Sequence, residues 1–183
     1  QVNLQLCKKD FRQDWESASM GFSQYDNLPR KFSDFLIAQV AAKVAEKVEQ
    51  NIWQGATANA GEFDGFQALL AADGDVVDVS GTTLSAANII AELGKVVDAI
   101  PSGVYNKEDL KIYIPTSAAK FYIQAQAALG YRELYNVGKT EMNFQGIELF
   151  TASGLGANKI VAAESSNLFF GTGLLNDWQE VKL

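Results

Sequence analysis

The sequence predicts an α+β fold in which helices pack on a small mixed sheet. A long amphipathic helix precedes two shorter ones, and short apolar segments typical of strands alternate with them. Glycine or proline stands at most of the junctions. The chain has 183 residues, 48% of them hydrophobic and 20% charged. A chain of this size can bury a core without a metal ion or a disulfide.

The first helix is predicted from Pro29 to Trp53. Apolar side chains recur there at steps of three and four residues, and charged side chains occupy the other side. The apolar positions are Phe32, Phe35, Leu36, Val40, Val44, Val48 and Ile52. Asn27 is expected to cap the helix and Gly55 to end it. At 1.5 Å per residue the helix would be about 35 Å long, which is long for a chain of this size.

Two further helices are predicted. The first ends at Pro101 and buries a stripe formed by Ile89, Ile90, Leu93, Val96, Val97 and Ile100, and the second spans residues 116–129. Thr82 or Thr83 is expected to cap the first of them and Thr116 the second. Five short strands are predicted in the same part of the chain, at residues 76–79, 110–114, 147–150, 159–163 and 168–170.

Two connections and one boundary complete the predicted organisation. Residues 131–146 are expected to form a loop. Residues 154–159 are expected to form a hairpin connection, because they lack the GxxxxGK[ST] pattern and do not open a helix. The glycine-rich stretch over residues 55–65 is the strongest candidate for a domain boundary.

Composition excludes several classes of function. The chain has no histidine, which excludes Ser-His-Asp and Cys-His catalysis and HExxH zinc hydrolysis. Its single cysteine, Cys7, cannot form an internal disulfide. The net charge is −7, and residues 56–105 carry one basic and seven acidic groups. Because phosphate binding needs a basic stripe, sequence-reading nucleic-acid binding is disfavoured. No apolar run reaches the roughly 20 residues that span a bilayer, so no membrane partner is expected.

Two motifs suggest chemistry but do not satisfy its requirements. The carboxylates of residues 73–78 suggest a calcium loop, but the twelfth position, which should be glutamate, is Leu84. Ser117 and Lys120 have the spacing of a Ser-Lys dyad, but no partner motif accompanies them. No catalytic, cofactor-binding or metal-binding residue is therefore predicted, which points towards a structural protein.

Residues 48–70, 109–122 and 144–171 resemble, in that order, three parts of the major capsid proteins of tailed bacteriophages with the Hong Kong 97-like fold. Residues 48–70, with Trp53, Gly55, Gly61 and Gly65, are similar to the end of the family's spine helix and the glycine-punctuated segment after it. Residues 109–122 are similar to its strand–proline–helix unit. Residues 144–171 are similar to the strand, turn and hairpin that follow.

The resemblance implies a domain organisation and a function. Residues 1–55 would form the peripheral (P) domain with the spine helix, residues 56–173 the axial (A) domain, and residues 174–183 a return strand to the P domain. The chain would assemble as pentamers and hexamers of itself into an icosahedral head. That head would enclose double-stranded DNA without sequence-specific binding.

The resemblance also implies a location and a set of partners. The protein would be a virion component, assembled in the cytoplasm of a bacterial host. It would not be an enzyme and would need no cofactor, and contacts with other virion proteins stay open. Within the same fold, an encapsulin-type shell is the alternative, and no sequence feature separates the two.

Two surfaces are predicted to form subunit contacts. One is the polar side of the spine helix, with Lys43, Glu46 and Lys47. The other is the loop over residues 130–143, which the resemblance places near the capsomer axis. It carries Tyr131, Arg132 and Tyr135, residue types that are enriched at interface hot spots. Packing of both tyrosines inside their own subunit is the alternative.

An alternative from a different class is a small carboxylate-dependent enzyme. It would use four acidic side chains in the middle of the chain, those of Asp64, Asp73, Asp75 and Asp78.

Overall fold

The structure is a computed structural model that describes residues 32–130 and 142–171. In these ranges the chain forms five α-helices and a four-stranded mixed sheet, so the predicted α+β class is confirmed. The helices are α1 (Phe32–Gln54), α2 (Phe66–Ala72), α3 (Ile89–Ala99), α4 (Ser102–Tyr105) and α5 (Thr116–Ala128). The strands are β1 (Leu110–Ile114), β2 (Met142–Phe144), β3 (Ile147–Thr151) and β4 (Val161–Glu164).

The sheet has the strand order β2-β3-β1-β4. Strand β1 is parallel to β3 and antiparallel to β4, and Ile112 lies opposite both Leu149 and Ala162. Strands β2 and β3 form a hairpin whose two turn residues, Gln145 and Gly146, both have positive φ, as a tight hairpin turn requires. Because β3 and β4 flank β1 on opposite sides, the connection between them passes over β1. The prediction of a hairpin over residues 154–159 is therefore wrong.

The main core lies between one face of the sheet and helices α3 and α5. Every second residue of β1 points towards the helices, as the alternation of a strand requires. The completely buried large side chains are Ile89 and Leu93 of α3 with Ile112 and Ile114 of β1. The apolar stripe predicted for the second helix is thus the surface that this helix buries.

A smaller apolar cluster lies on the other face of the sheet. It consists of Trp53, Tyr113, Ala152 and Leu155. The Trp53 ring is 5.3 Å from the Tyr113 ring and 5.4 Å from the Phe66 ring, measured between centroids. The last turn of α1 therefore packs against the sheet and α2.

Predicted element positions were wrong in five places. Residues 76–79 and 168–170 form no strand, while β2 and the short helices α2 and α4 were not predicted. A strand needs a neighbour for its backbone groups, and side-chain alternation does not show whether one is present. Residues 142–144 find that neighbour in β3, although they lie in the predicted loop.

The predicted caps of α3 and α5 were also wrong. Helix α3 is preceded by a turn in which the Asn88 Oδ1 accepts hydrogen bonds from the backbone N–H of Ser85 at 2.8 Å and its hydroxyl at 2.9 Å. The Thr82 hydroxyl instead donates to Glu92 at 3.0 Å. Thr116 is the first helical residue of α5, because Pro115 before it has extended backbone angles and occupies the cap position.

Several predictions fall on residues outside the described ranges. These are the Asn27 cap, the return strand over residues 174–183, and the interface candidates Tyr131, Arg132 and Tyr135. The structure tests neither these nor the division into P and A domains. Among the helices of the described ranges, none is long and apolar enough to cross a membrane.

Candidate functional site

The polar side of α1 is exposed, and its charges are already paired within the chain. Lys43 Nζ lies 2.8 Å from Glu46 Oε2, one helical turn away, and both side chains are more than 70% exposed. This hydrogen bond lowers the pKa of the Glu46 carboxyl and raises that of the Lys43 ammonium. Sequence reasoning placed both residues on one surface correctly. Any ion pair with a neighbouring subunit would have to compete with this pair.

Lys47 makes a different contact from the other two candidates. Its Nζ lies 2.9 Å from Glu62 Oε1, in the loop that follows α1. The pKa of the Glu62 carboxyl is lowered most by a hydrogen bond from Asn59 and next by one from Lys47. Lys47 therefore ties the helix to its own loop, a role that helical spacing alone did not suggest.

The loop after α1 has a defined structure built on glycine and aspartate. The Gly65 N–H donates to the Gly55 carbonyl at 2.9 Å, which closes the loop. Asp64 Oδ1 accepts hydrogen bonds from the Thr57 N–H at 2.8 Å and from its hydroxyl at 3.0 Å. The glycine-rich stretch therefore holds the end of the helix in place.

The loop after β3 supplies a contact that the sequence did not indicate. The Gly154 carbonyl accepts a hydrogen bond from the Gln54 side-chain amide. A Cβ atom at Gly154 would overlap the Glu49 carbonyl oxygen and would lie 3.0 Å from the Trp53 ring. Glycine is required here because the backbone of the loop touches the backbone of α1. The only sequence signal was a glycine in a predicted turn.

Several large apolar side chains lie exposed near the same end of α1. Phe63 and Phe170 are in contact, with ring centroids 5.7 Å apart, and both are partly exposed. Phe169 beside them is 78% exposed. Contiguous exposed aromatic residues are typical of contact surfaces, and sequence reasoning assigned none of these three to an interface.

The acidic side chains of the enzyme alternative do not form a metal-binding group. Asp64 is engaged by Thr57, and Asp73 Oδ1 accepts a hydrogen bond from the Asp75 N–H at 3.0 Å. Within residues 32–130 and 142–171, no three His, Cys, Asp or Glu side chains are placed to hold a metal ion. The Ser117 hydroxyl donates to the Ala157 carbonyl at 3.4 Å instead of to Lys120, so the Ser-Lys dyad is not formed.

Fold and surface together define an α+β protein whose long helix is anchored at its C-terminal end and carries exposed charge pairs. No family model, no curated protein and no solved structure matches the chain. A functional assignment therefore rests on the residues themselves.

Proposed function

We propose that the chain is a structural shell protein, the major capsid protein of a tailed bacteriophage, with the Hong Kong 97-like fold. In this proposal, it assembles as pentamers and hexamers into an icosahedral head around double-stranded DNA and is a component of the virion. The succession of three sequence blocks similar to that family supports the proposal. The α+β architecture with a long first helix is compatible with it.

The observation that carries the proposal is the exposure of α1. The helix has 23 residues and is about 35 Å long. None of its described side chains from Asp34 to Ile52 is buried, and Trp53 is buried against the sheet. Isolated helices are only marginally stable in water, and most are stabilised by packing of an apolar face. A long helix with so little burial in its own subunit favours a role in contacts between copies.

Six apolar side chains of α1 are half-buried: Phe35, Leu36, Val40, Val44, Val48 and Ile52. Ile52 packs against the cluster that contains Trp53, and the other five suit such contacts. They follow the three- and four-residue spacing of one helix face. Ile37, beside them, is 40% exposed. Many weak contacts of this type, repeated by symmetry, stabilise a closed shell collectively.

The charge distribution is suited to a shell that encloses DNA without gripping it. The chain carries 15 basic and 22 acidic residues. The described ranges contain seven lysines, and five of them form ion pairs with glutamates, namely Lys43, Lys47, Lys95, Lys107 and Lys111. Paired lysines are poor phosphate ligands, because phosphate would have to displace a carboxylate. DNA inside such a shell would stay mobile during packaging.

Electron microscopy of the purified full chain tests the proposal. Shells, capsomers or curved sheets support it, and a monomer that binds a divalent metal would support the carboxylate-dependent enzyme instead. Particles isolated from cells also separate the two shell alternatives. Double-stranded DNA inside them indicates a phage head, and protein cargo indicates an encapsulin-type compartment.

A further inference from the structure

Residues 76–79 have the sequence of a strand but pair with no strand of the described ranges. Val77 is 61% exposed and Val79 39%, which is unusual for two valines so close together. Within the described ranges, no backbone hydrogen bond joins residues 77–81 to another part of the main chain. Apart from the Val76 N–H, which donates to the Asp73 carbonyl, the backbone groups of this segment have no main-chain partner in the described ranges and are available to a second chain.

Strand β4 offers a matching open edge. It pairs with β1 on one side, and no other described strand lies beside it. The Ser165 N–H donates to the Asp109 carbonyl, so the hydrogen-bonded positions of β4 are the alternate residues Ala163 and Val161. The backbone N–H and C=O groups of Ala162 and Glu164 consequently point outward, where a further strand could bind.

The charges near residues 76–79 and near β4 indicate that the two segments fit each other and in which direction the two strands would run. Asp73, Asp75 and Asp78 around the segment form no ion pair with any described residue. Lys159, just before β4, is exposed and likewise has no ion-pair partner in the described ranges. With Val77 opposite Ala162, a parallel arrangement places Asp75 opposite Ile160, beside Lys159, and Asp78 opposite Ala163. An antiparallel arrangement places Asp75 directly opposite Glu164 and Asp78 opposite Val161.

We propose that residues 76–79 of one copy add as a parallel strand to the open edge of β4 in a neighbouring copy. The inference rests on the proposed function, since it names one of the contacts that assembly needs. In the described ranges, each copy holds both a segment and a strand edge without a main-chain partner, so a second copy supplies what is missing on each side. A contact between two different surfaces can be repeated around a rotation axis, as a capsomer requires.

Disulfide trapping between two kinds of chain tests the contact directly. In a Cys7→Ser background, full chains carrying Val77→Cys are mixed with full chains carrying Ala162→Cys and oxidised gently. Neighbouring strands lie about 4.8 Å apart, within the range that a disulfide can bridge. The mixed dimer should form at least roughly tenfold faster than with Ala128→Cys, an exposed control position, in place of Ala162→Cys.

Charge reversal gives a second test that does not depend on cysteine geometry. Lys159→Glu should reduce assembly by roughly tenfold, and adding Asp75→Lys should restore it. Lys120→Glu, another exposed lysine without an ion-pair partner in the described ranges, should leave assembly unchanged.

The outcomes separate this inference from the proposed function. Normal assembly of the unmodified chain, with trapping no faster than the control, would overturn the strand contact and leave the shell proposal intact. Trapping without any shell would support the contact and contradict the shell. Failure of both trapping and assembly would overturn both.

Discussion

The ring of Trp53 lies 5.3 Å from the ring of Tyr113, and this contact joins the end of the long helix to the central strand of the sheet. Trp53 is 5% exposed, and Tyr113 also contacts Phe150, at 5.6 Å between centroids. Burial raises the pKa of the Tyr113 hydroxyl, in agreement with its position under the helix. The orientation of α1 relative to the sheet therefore depends on a small aromatic cluster.

Replacing Trp53 with alanine should separate the helix from the sheet. Removal of a buried tryptophan leaves a cavity and costs about 3–5 kcal/mol of unfolding free energy. Ile37→Ala in the same helix should cost about 1 kcal/mol or less, because Ile37 is 40% exposed. Urea unfolding followed by circular dichroism measures both. Equal losses for the two variants would show that the cluster does not anchor α1.

Gly154→Ala should disturb the contact between the end of α1 and the sheet, because Gly154 lies in the loop after β3 that touches α1. The added Cβ would overlap the Glu49 carbonyl oxygen, so the backbone of the loop or of α1 must move. This shift should lower the unfolding free energy by about 1–3 kcal/mol. Gly94→Ala is the matched control, since nothing lies within 4 Å of a Cβ there and alanine favours the helix. The control should stabilise the chain by about 0.5–1 kcal/mol. Thermal unfolding that ranks the two variants in reverse order would contradict this packing.

Glu92 should make part of the stability depend on pH. A hydrogen bond from Lys95 at 2.8 Å, with a further one from Thr82, lowers the pKa of this buried carboxyl. Because the pKa is lower in the folded chain, the stabilisation is present above the unfolded value and is lost as the pH falls through the folded value.

Glu92→Gln should therefore reduce stability at neutral pH and flatten its decline between about pH 5 and pH 3. Unfolding free energies measured across that range check this expectation. Glu108→Gln, at an exposed position, is the matched control for the removal of one carboxylate. An identical pH dependence in the native chain and in Glu92→Gln would contradict the role given to Glu92.

Much of the architecture was predictable from local pattern, because helix periodicity and strand alternation are encoded within a few residues. Helix α1, the stripe of α3 and strand β1 agree with their predicted positions. The predicted strand at 76–79 was wrong because pairing depends on a distant part of the chain. The Gly154 contact could not be predicted for the same reason, since it joins residues about 100 positions apart.

The predicted interface charges can be tested apart from folding. Lys43→Ala should leave the unfolding free energy nearly unchanged, because exposed i,i+3 pairs contribute little. If Lys43 also contacts a neighbouring subunit, as proposed, assembly yield should fall while folding is preserved. Sedimentation of refolded chains measures the yield. Unchanged yield would remove Lys43 from the interface.

The predicted contact residues in the loop over residues 130–143 can be tested in the same way, by measuring folding and assembly separately. Substituting Arg132 and Tyr135 together with alanine should leave a folded monomer that forms capsomers poorly, because such residues are typical of interface hot spots. Circular dichroism and native mass spectrometry measure the two properties. Loss of folding would instead place Tyr135 in the core, and normal capsomers would contradict the assignment.

The central claim, that the chain builds a shell, is tested most directly by sedimentation velocity of the full chain over a wide concentration range. Assembly through many weak, symmetric contacts is cooperative, so large particles should appear abruptly above a threshold concentration while free subunits stay near a constant level. A single monomeric species at every concentration, without capsomers or larger particles, would contradict the claim.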